Sequence, residues 1–263
     1  MKKLLKKLMI AGPCAVENDR QVANSLIAAK EAGVDFVRLS LWKPRTKPGF
    51  EGIGEKGIKY LVKAAKMNLN PSTEIMIPEH ARMIMDKVLP VLGEGKLLLW
   101  IGARNQNHYI QREIAKIIAQ DKRVYVMAKN QIWHNEKHWE GIVEHMLEGG
   151  IEPENFLLCH RGFAPMGYNP HAYRNVPDYD MAIRMKEKTG LQMIFDPSHT
   201  GGSVEKVFHI AQEANAYPFD GYIVEVHPNP KEALSDANQQ LTWTQYKQLV
   251  KTLYDKRMQK ITL

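Results

Sequence analysis

Residues able to do chemistry recur along this chain at the ends of short apolar runs. In order they are Cys14, the Lys43-Pro44-Arg45-Thr46 stretch, Glu74, Gly102-Ala103-Arg104, Lys129, His160-Arg161-Gly162, Asp196-Pro197-Ser198-His199 and Glu225-Val226-His227. Brought together, they would supply several cations, a thiol, imidazole and carboxylates. Such a set suits an anionic substrate and a metal ion. Arginine offers a bidentate fork to phosphate or carboxylate, while lysine acts as a point charge that can also donate a proton.

These residues share one site only if the runs carrying them converge. The runs cover about 8–12, 36–42, 71–75, 97–102, 123–129, 156–160, 192–196 and 221–226. They are short and mostly apolar on both faces, as strands covered on both sides should be. Amphipathic stretches separate them, over 18–33, 55–67, 78–87, 108–120, 138–149, 178–190, 203–216 and 242–258. The first opens on Asn18 or Asp19 as an N-cap and closes on Gly33. Strand starts recur at roughly 25 to 35 residues, the repeat of a βα unit. The predicted fold class is α/β, a single (β/α)8 TIM barrel over residues 1–263, whose strand ends meet at one mouth. The stretches 43–54 and 161–177 each follow a strand, carry Pro, Gly and Lys or Arg, and are expected to be active-site loops.

The chain has 263 residues, 44% of them hydrophobic and 25% charged, enough for one globular domain with a sizeable core. Two cysteines make no disulfide framework, so a reducing, cytoplasmic setting is expected. Lysines interrupt the apolar start, and Pro13 directly precedes Cys14, which argues against a lipoprotein signal. No apolar stretch approaches the roughly 20 residues of a membrane span, so no membrane partner is expected. The net charge of +7 could mark a nucleic-acid surface. However, sets such as Lys56-Lys59-Lys63-Lys66 and Lys247-Lys251-Lys256 read as solvated helix faces, and no nucleic-acid module signature is present.

Seven segments carry a resemblance to a known family. They are Gly12-Pro13-Cys14, Trp42-Lys43-Pro44-Arg45-Thr46-Lys47-Pro48-Gly49, Ile101-Gly102-Ala103-Arg104-Asn105, His160-Arg161-Gly162-Phe163, Tyr173-Arg174-Asn175, Asp196-Pro197-Ser198-His199 and Leu234-Ser235-Asp236-Ala237-Asn238-Gln239-Gln240. In this order and over nearly the whole chain, they resemble the short bacterial branch of the type I 3-deoxy-D-arabino-heptulosonate 7-phosphate (DAHP) synthases. That branch shares ancestry with the octulosonate-phosphate synthases. The resemblance implies a (β/α)8 barrel, phosphoenolpyruvate and erythrose 4-phosphate as substrates, a homo-oligomer and entry into aromatic amino-acid synthesis.

It also implies roles for particular residues. A divalent ion would be held by Cys14, His199, Glu225 and Asp236. This mixed S, N and O set suits Mn²⁺ first, with Fe, Co or Zn as alternatives. Arg38, Lys43, Ala103, Arg104, Lys129 and Arg161 would surround phosphoenolpyruvate, with Arg45 and Thr46 on the sugar phosphate. Lys43 is expected to deliver a proton, with His199 and Glu74 handling water. Taken singly, Cys14 reads more often as a small buried hydrophobe, His199 as a cap of the next helix, and Asp236 and Glu225 as surface carboxylates. Glu225, however, lies between Val224 and Val226 on a last strand that should face the mouth, where a buried carboxylate without a cation is costly. Gly201-Gly202-Ser203 reads as a phosphate cradle or as a tight turn.

Two departures from the family pattern lie near the site. Gln131 stands where Gly or Pro is expected, and Ala15 where Ser is common. Relatives often carry an N-terminal regulatory domain or a fused chorismate mutase. Here neither is expected, so neither is mutase activity nor feedback by aromatic amino acids, while a separate mutase partner stays open. The competing reading is 3-deoxy-D-manno-octulosonate 8-phosphate synthase, whose corresponding loop typically reads Lys-Ala-Asn-Arg-Ser-Ser rather than Lys43-Pro44-Arg45-Thr46. A further alternative is a catalytically silent sugar-phosphate-binding barrel.

Overall fold

A computed structural model of the chain describes residues 7–44 and 49–254. Eight parallel strands close into a barrel in chain order: β1 (Leu8–Gly12), β2 (Phe36–Arg38), β3 (Pro71–Ile75), β4 (Leu97–Ile101), β5 (Val124–Lys129), β6 (Phe156–His160), β7 (Gln192–Phe195) and β8 (Gly221–Glu225). Helices α1 (Asp19–Ala32), α2 (Ile58–Lys66), α3 (Pro78–Leu92), α4 (His108–Ile118), α5 (Glu136–Glu148) and α6 (Tyr179–Thr189) follow the first six strands in turn. A short α7 (Pro197–Gly201) and then α8 (Val204–Ala214) follow β7, and α9 (Trp243–Tyr254) follows β8. This is the (β/α)8 barrel the sequence predicts.

Local chemistry sets the helix ends. Asn18, Asn107, Asn135 and Asp178 each accept a backbone N–H of the first turn they cap. Gly33 closes α1 at φ 64°, a left-handed conformation that costs glycine least. Three elements differ from expectation. Helix α3 runs to Leu92 rather than to 87, through Pro90, because Val88 and Leu92 on its last turns are buried. The segment Pro197–Gly201, to which the sequence assigns no element, is itself a helical turn that Asp196 caps through His199 N–H. Strand β2 stops at Arg38, short of 42. Beyond Leu39, the N–H of Leu41 goes to the Thr73 hydroxyl at 3.1 Å instead of a backbone carbonyl, and the chain peels off toward Lys43.

The period of two along each strand places the chemistry. Ile10, Phe36, Leu98, Trp100, Met127, Leu157, Cys159, Ile194 and Ile223 form one buried cluster inside the barrel. The intervening residues, such as Ala11, Val37, Leu99, Ala128, Leu158 and Val224, pack outward into the larger core beneath the helices. Two residues beyond the inward apolar positions come Arg38, Gly102, Lys129, Arg161, Asp196 and Glu225, and the same alternation raises Glu74 on β3. One cap of polar side chains therefore lies over the apolar plug. No helix among the described residues is long and apolar enough to cross a membrane.

Candidate active site

The polar cap surrounds a cavity of about 310 Å³ at the carboxyl ends of the strands. Six cations line it: Arg38, Lys43, Arg104, Lys129, Arg161 and Arg174. Cys14, Glu74, Ala103, His199 and Asp236 also reach it. Two glycines admit this crowding. A side chain at Gly12 would run into the Arg38 backbone, and one at Gly102 into the Glu74 carboxylate.

One end of the cavity gathers three possible metal ligands. Ligand atoms of Cys14, Glu225 and Asp236 lie within 4.8 Å of one another. The Lys43 ammonium sits among them, 2.6 Å from the Cys14 sulfur and 2.7 Å from an Asp236 oxygen. The donors fit a divalent ion, and a positive charge already stands where it would be needed. His199, expected as the fourth ligand, is adjacent but outside this group. Its Nε2 lies 3.5 Å from Glu225 and its Nδ1 bonds Asp196 at 2.8 Å. A carboxylate on one ring nitrogen, with the other left to the ion, is the usual support of a metal-bound histidine.

Burial and charge set the protonation states. Burial pushes the Cys14 thiol up to about 12 and the His199 imidazole down to about 4, so both are neutral at pH 7. Glu225 is fully buried; burial would raise its pKa, yet His199, Arg38 and Lys43 hold it below the usual range. Asp236 is likewise held low against burial, by Lys43, His199 and Arg174. Against the pull of burial, the Glu225 and Asp236 carboxylates keep the Lys43 ammonium above its ordinary value. Burial raises Glu74, partly offset by Lys129, Arg38 and Lys43. Lys43 is thus a charged donor, while Glu74 is biased toward holding a proton.

The remaining cations are held at their bases. Arg38 donates to the carbonyls of Pro13 and Cys14 at 3.2 Å each and to Glu225 at 2.7 Å, while its Nη1 has no hydrogen-bond partner. Lys129 bonds Asp196 at 2.6 Å. Arg161 donates to Asn175 at 2.9 Å, and burial lowers it to about 10. Arg45 and Thr46 lie outside the described residues. Gly201-Gly202-Ser203 forms the junction of α7 and α8, with Gly202 at φ 81°. Gln131 is buried but does not line the cavity. Its amide donates to the carbonyls of Trp133 and Asn135, and so shapes the loop that enters α5.

His160 ends β6 yet is not part of the site. It points outward onto Trp139, with ring centroids 5.7 Å apart, and its Nε2 accepts the Asp178 N–H. Burial lowers it to about 3. The unfolded chain takes up this proton below about pH 6.5 and the folded chain does not, so stability falls as pH drops from 6.5 toward 3. Between pH 6.5 and 5 this one group removes about 2 kcal/mol. Urea melts at the two pH values should show that loss, and His160→Gln should lose less over the same interval. Equal losses in both proteins would assign the acid sensitivity to other groups.

Sequence reasoning left several residues of the site without a role. Arg174 and Asn175 were visible only within a family-like segment, because an arginine in an irregular loop has no periodic signature. Gln239 and Gln240 were likewise unassigned. Gln240 accepts the Cys14 N–H at 2.9 Å, and Gln239 donates to Glu225 at 2.6 Å.

Fold and cavity together describe a (β/α)8 barrel whose mouth is lined by six cations beside a group of possible metal ligands. A family model described as the DAHP synthetase I family matches residues 5–260. A phospho-2-dehydro-3-deoxyheptonate aldolase of Thermotoga maritima is 32% identical over 247 residues, covering 93% of this chain and 68% of that relative. A 2-dehydro-3-deoxyphosphooctonate aldolase of Delftia acidovorans is 27% identical, over 93% of this chain and 88% of its own. The crystal structure of a DAHP synthase from Thermotoga maritima matches with a TM-score of 0.80 at 30% identity, over 93% of this chain and 67% of that one. A truncated form from the same organism matches at 0.78 and 29%, over 93% and 84%. The chain belongs to the DAHP synthetase I family.

Proposed function

We propose that this protein is a DAHP synthase, condensing phosphoenolpyruvate with erythrose 4-phosphate at the entry to the shikimate pathway. The observation that carries this reading is one cavity with six cations along its walls and Cys14, Glu225 and Asp236 gathered at one end. A phosphate and a carboxylate on one small substrate need such a density of donors. Arg38, Lys43, Ala103, Arg104, Lys129 and Arg161 would bind phosphoenolpyruvate, and Arg45 and Thr46 the sugar phosphate.

In the reaction, C3 of phosphoenolpyruvate bonds to the aldehyde carbon, water adds at C2, and phosphate leaves with C–O cleavage. Cys14, His199, Glu225 and Asp236 would hold a divalent ion, Mn²⁺ in the first instance, which when bound supplies Lewis-acid polarisation of the aldehyde. Lys43, held charged by its acidic neighbours, delivers the proton to the aldehyde oxygen as it becomes an alkoxide. Glu74 and His199 orient the water and handle its proton.

The test follows the ultraviolet absorbance of phosphoenolpyruvate with erythrose 4-phosphate or arabinose 5-phosphate, before and after chelation and Mn²⁺ restoration. Chelator-sensitive turnover with the four-carbon sugar is expected. Preference for the five-carbon sugar would favour the octulosonate activity named for the Delftia relative, and turnover with neither would leave a silent barrel.

A further inference from the structure

Two side chains, Arg174 and Gln239, border the acidic ligands of the cation site. Building on the metal reading above, we infer that Gln239, oriented by Arg174, is a positioning residue that fixes Glu225 for the ion. Each oxygen of the buried Glu225 carboxylate has its own donor. Oε1 takes Arg38 at 2.7 Å and Oε2 takes the Gln239 amide at 2.6 Å. A glutamine side chain has two possible orientations, and Arg174 selects one of them. A guanidinium only donates, so the Gln239 oxygen must face Arg174 Nη1 and its nitrogen must face Glu225.

The same Nη1 donates to Asp236 Oδ1 at 3.1 Å, which leaves Oδ2 turned toward Lys43 and the Cys14 sulfur. One guanidinium therefore orients Asp236 directly and Glu225 through Gln239. The arrangement depends on the short turn that joins these residues. Asp236 sits at φ 47°, a left-handed conformation uncommon for a non-glycine residue, and a single turn, Ala237–Gln239, follows it. The Arg174 bonds hold both ends of that turn. Gln239 is 2% exposed and donates without adding a charge, so Glu225 keeps its anionic form for the metal.

The test measures Mn²⁺ binding by the free-ion EPR signal in wild type, Gln239→Leu and Arg174→Lys, with thermal melts of each metal-free protein. Gln239→Leu keeps the bulk and loses the donor; Arg174→Lys keeps the charge and loses the guanidinium nitrogen that serves both Asp236 and Gln239. Losing such a support typically weakens metal affinity about 10- to 100-fold. That loss is expected in both variants, with metal-free melting midpoints close to wild type. Wild-type Mn²⁺ affinity in Gln239→Leu would overturn the positioning role while leaving the proposed activity standing. Absence of Mn²⁺ binding in the wild type would overturn both the metal reading and this inference. If Gln239→Leu melts early, the folded Arg174→Lys variant decides, and unchanged affinity there overturns the inference.

Discussion

Replacing Cys14 with alanine is expected to abolish retention of a divalent ion and to cut turnover on the order of a thousandfold. Lewis-acid polarisation is worth several kcal/mol, and each 1.4 kcal/mol is a factor of ten in rate. The buried thiol, pushed up to about 12, carries its proton at neutral pH unless a cation displaces it. Ion binding should therefore release a proton, and a weakly buffered Mn²⁺ titration will detect it. Alanine removes both the soft donor and that proton. It leaves the backbone, whose Cys14 N–H is held by Gln240 and whose carbonyl is held by Arg38. Metal analysis after gel filtration, paired with the phosphoenolpyruvate assay, checks both effects. Full activity with metal retained would remove Cys14 from the ligand set.

Arg38→Met should have the largest effect on stability. Arg38 and Glu225 form a buried ion pair, their side chains 2% and 0% exposed. Removing one partner of such a pair costs about 3–5 kcal/mol, because the other charge is left buried without compensation. Methionine retains most of the stem packing, so the loss reads mainly as electrostatics. Denaturant melts at pH 7 should show a lower midpoint with an unchanged slope. Adding Glu225→Gln should recover much of the stability, since the stranded charge is gone, but no activity. Activity fails in both variants because the Arg38 side chain is a cavity wall and its Nη1 is a buried donor with no protein partner. A single variant as stable as the parent would show that Lys43 and Gln239 compensate Glu225 without Arg38.

The barrel was legible in the sequence because its signals are local. Strands β1, β3 and β6 fall where the apolar runs place them, and the caps at Asn18 and Gly33 are residue chemistry of one turn. The errors came where a distant partner decides. Strand β2 was read too long because the N–H of Leu41 finds the Thr73 hydroxyl, 32 positions away, rather than a strand ladder. The helical turn Pro197–Gly201 was missed because five residues carry no periodicity of their own.

The same division runs through the site. The sequence by itself determined which residues crown the strands, since a side-chain period of two and a βα repeat deliver Arg38, Glu74, Lys129, Arg161 and Glu225 to one mouth wherever the barrel closes. Only the tertiary structure decided their states and partners. The alternation that buries Ile223 also buries Glu225, but its anionic form depends on Arg38 from β2, Lys43 from the loop after β2 and Gln239 from the turn after β8. His160 and Arg161 are neighbours in sequence, yet one packs outward beside Trp139 and the other lines the cavity. Charge interactions and burial act through space, so no spacing along the chain encodes them.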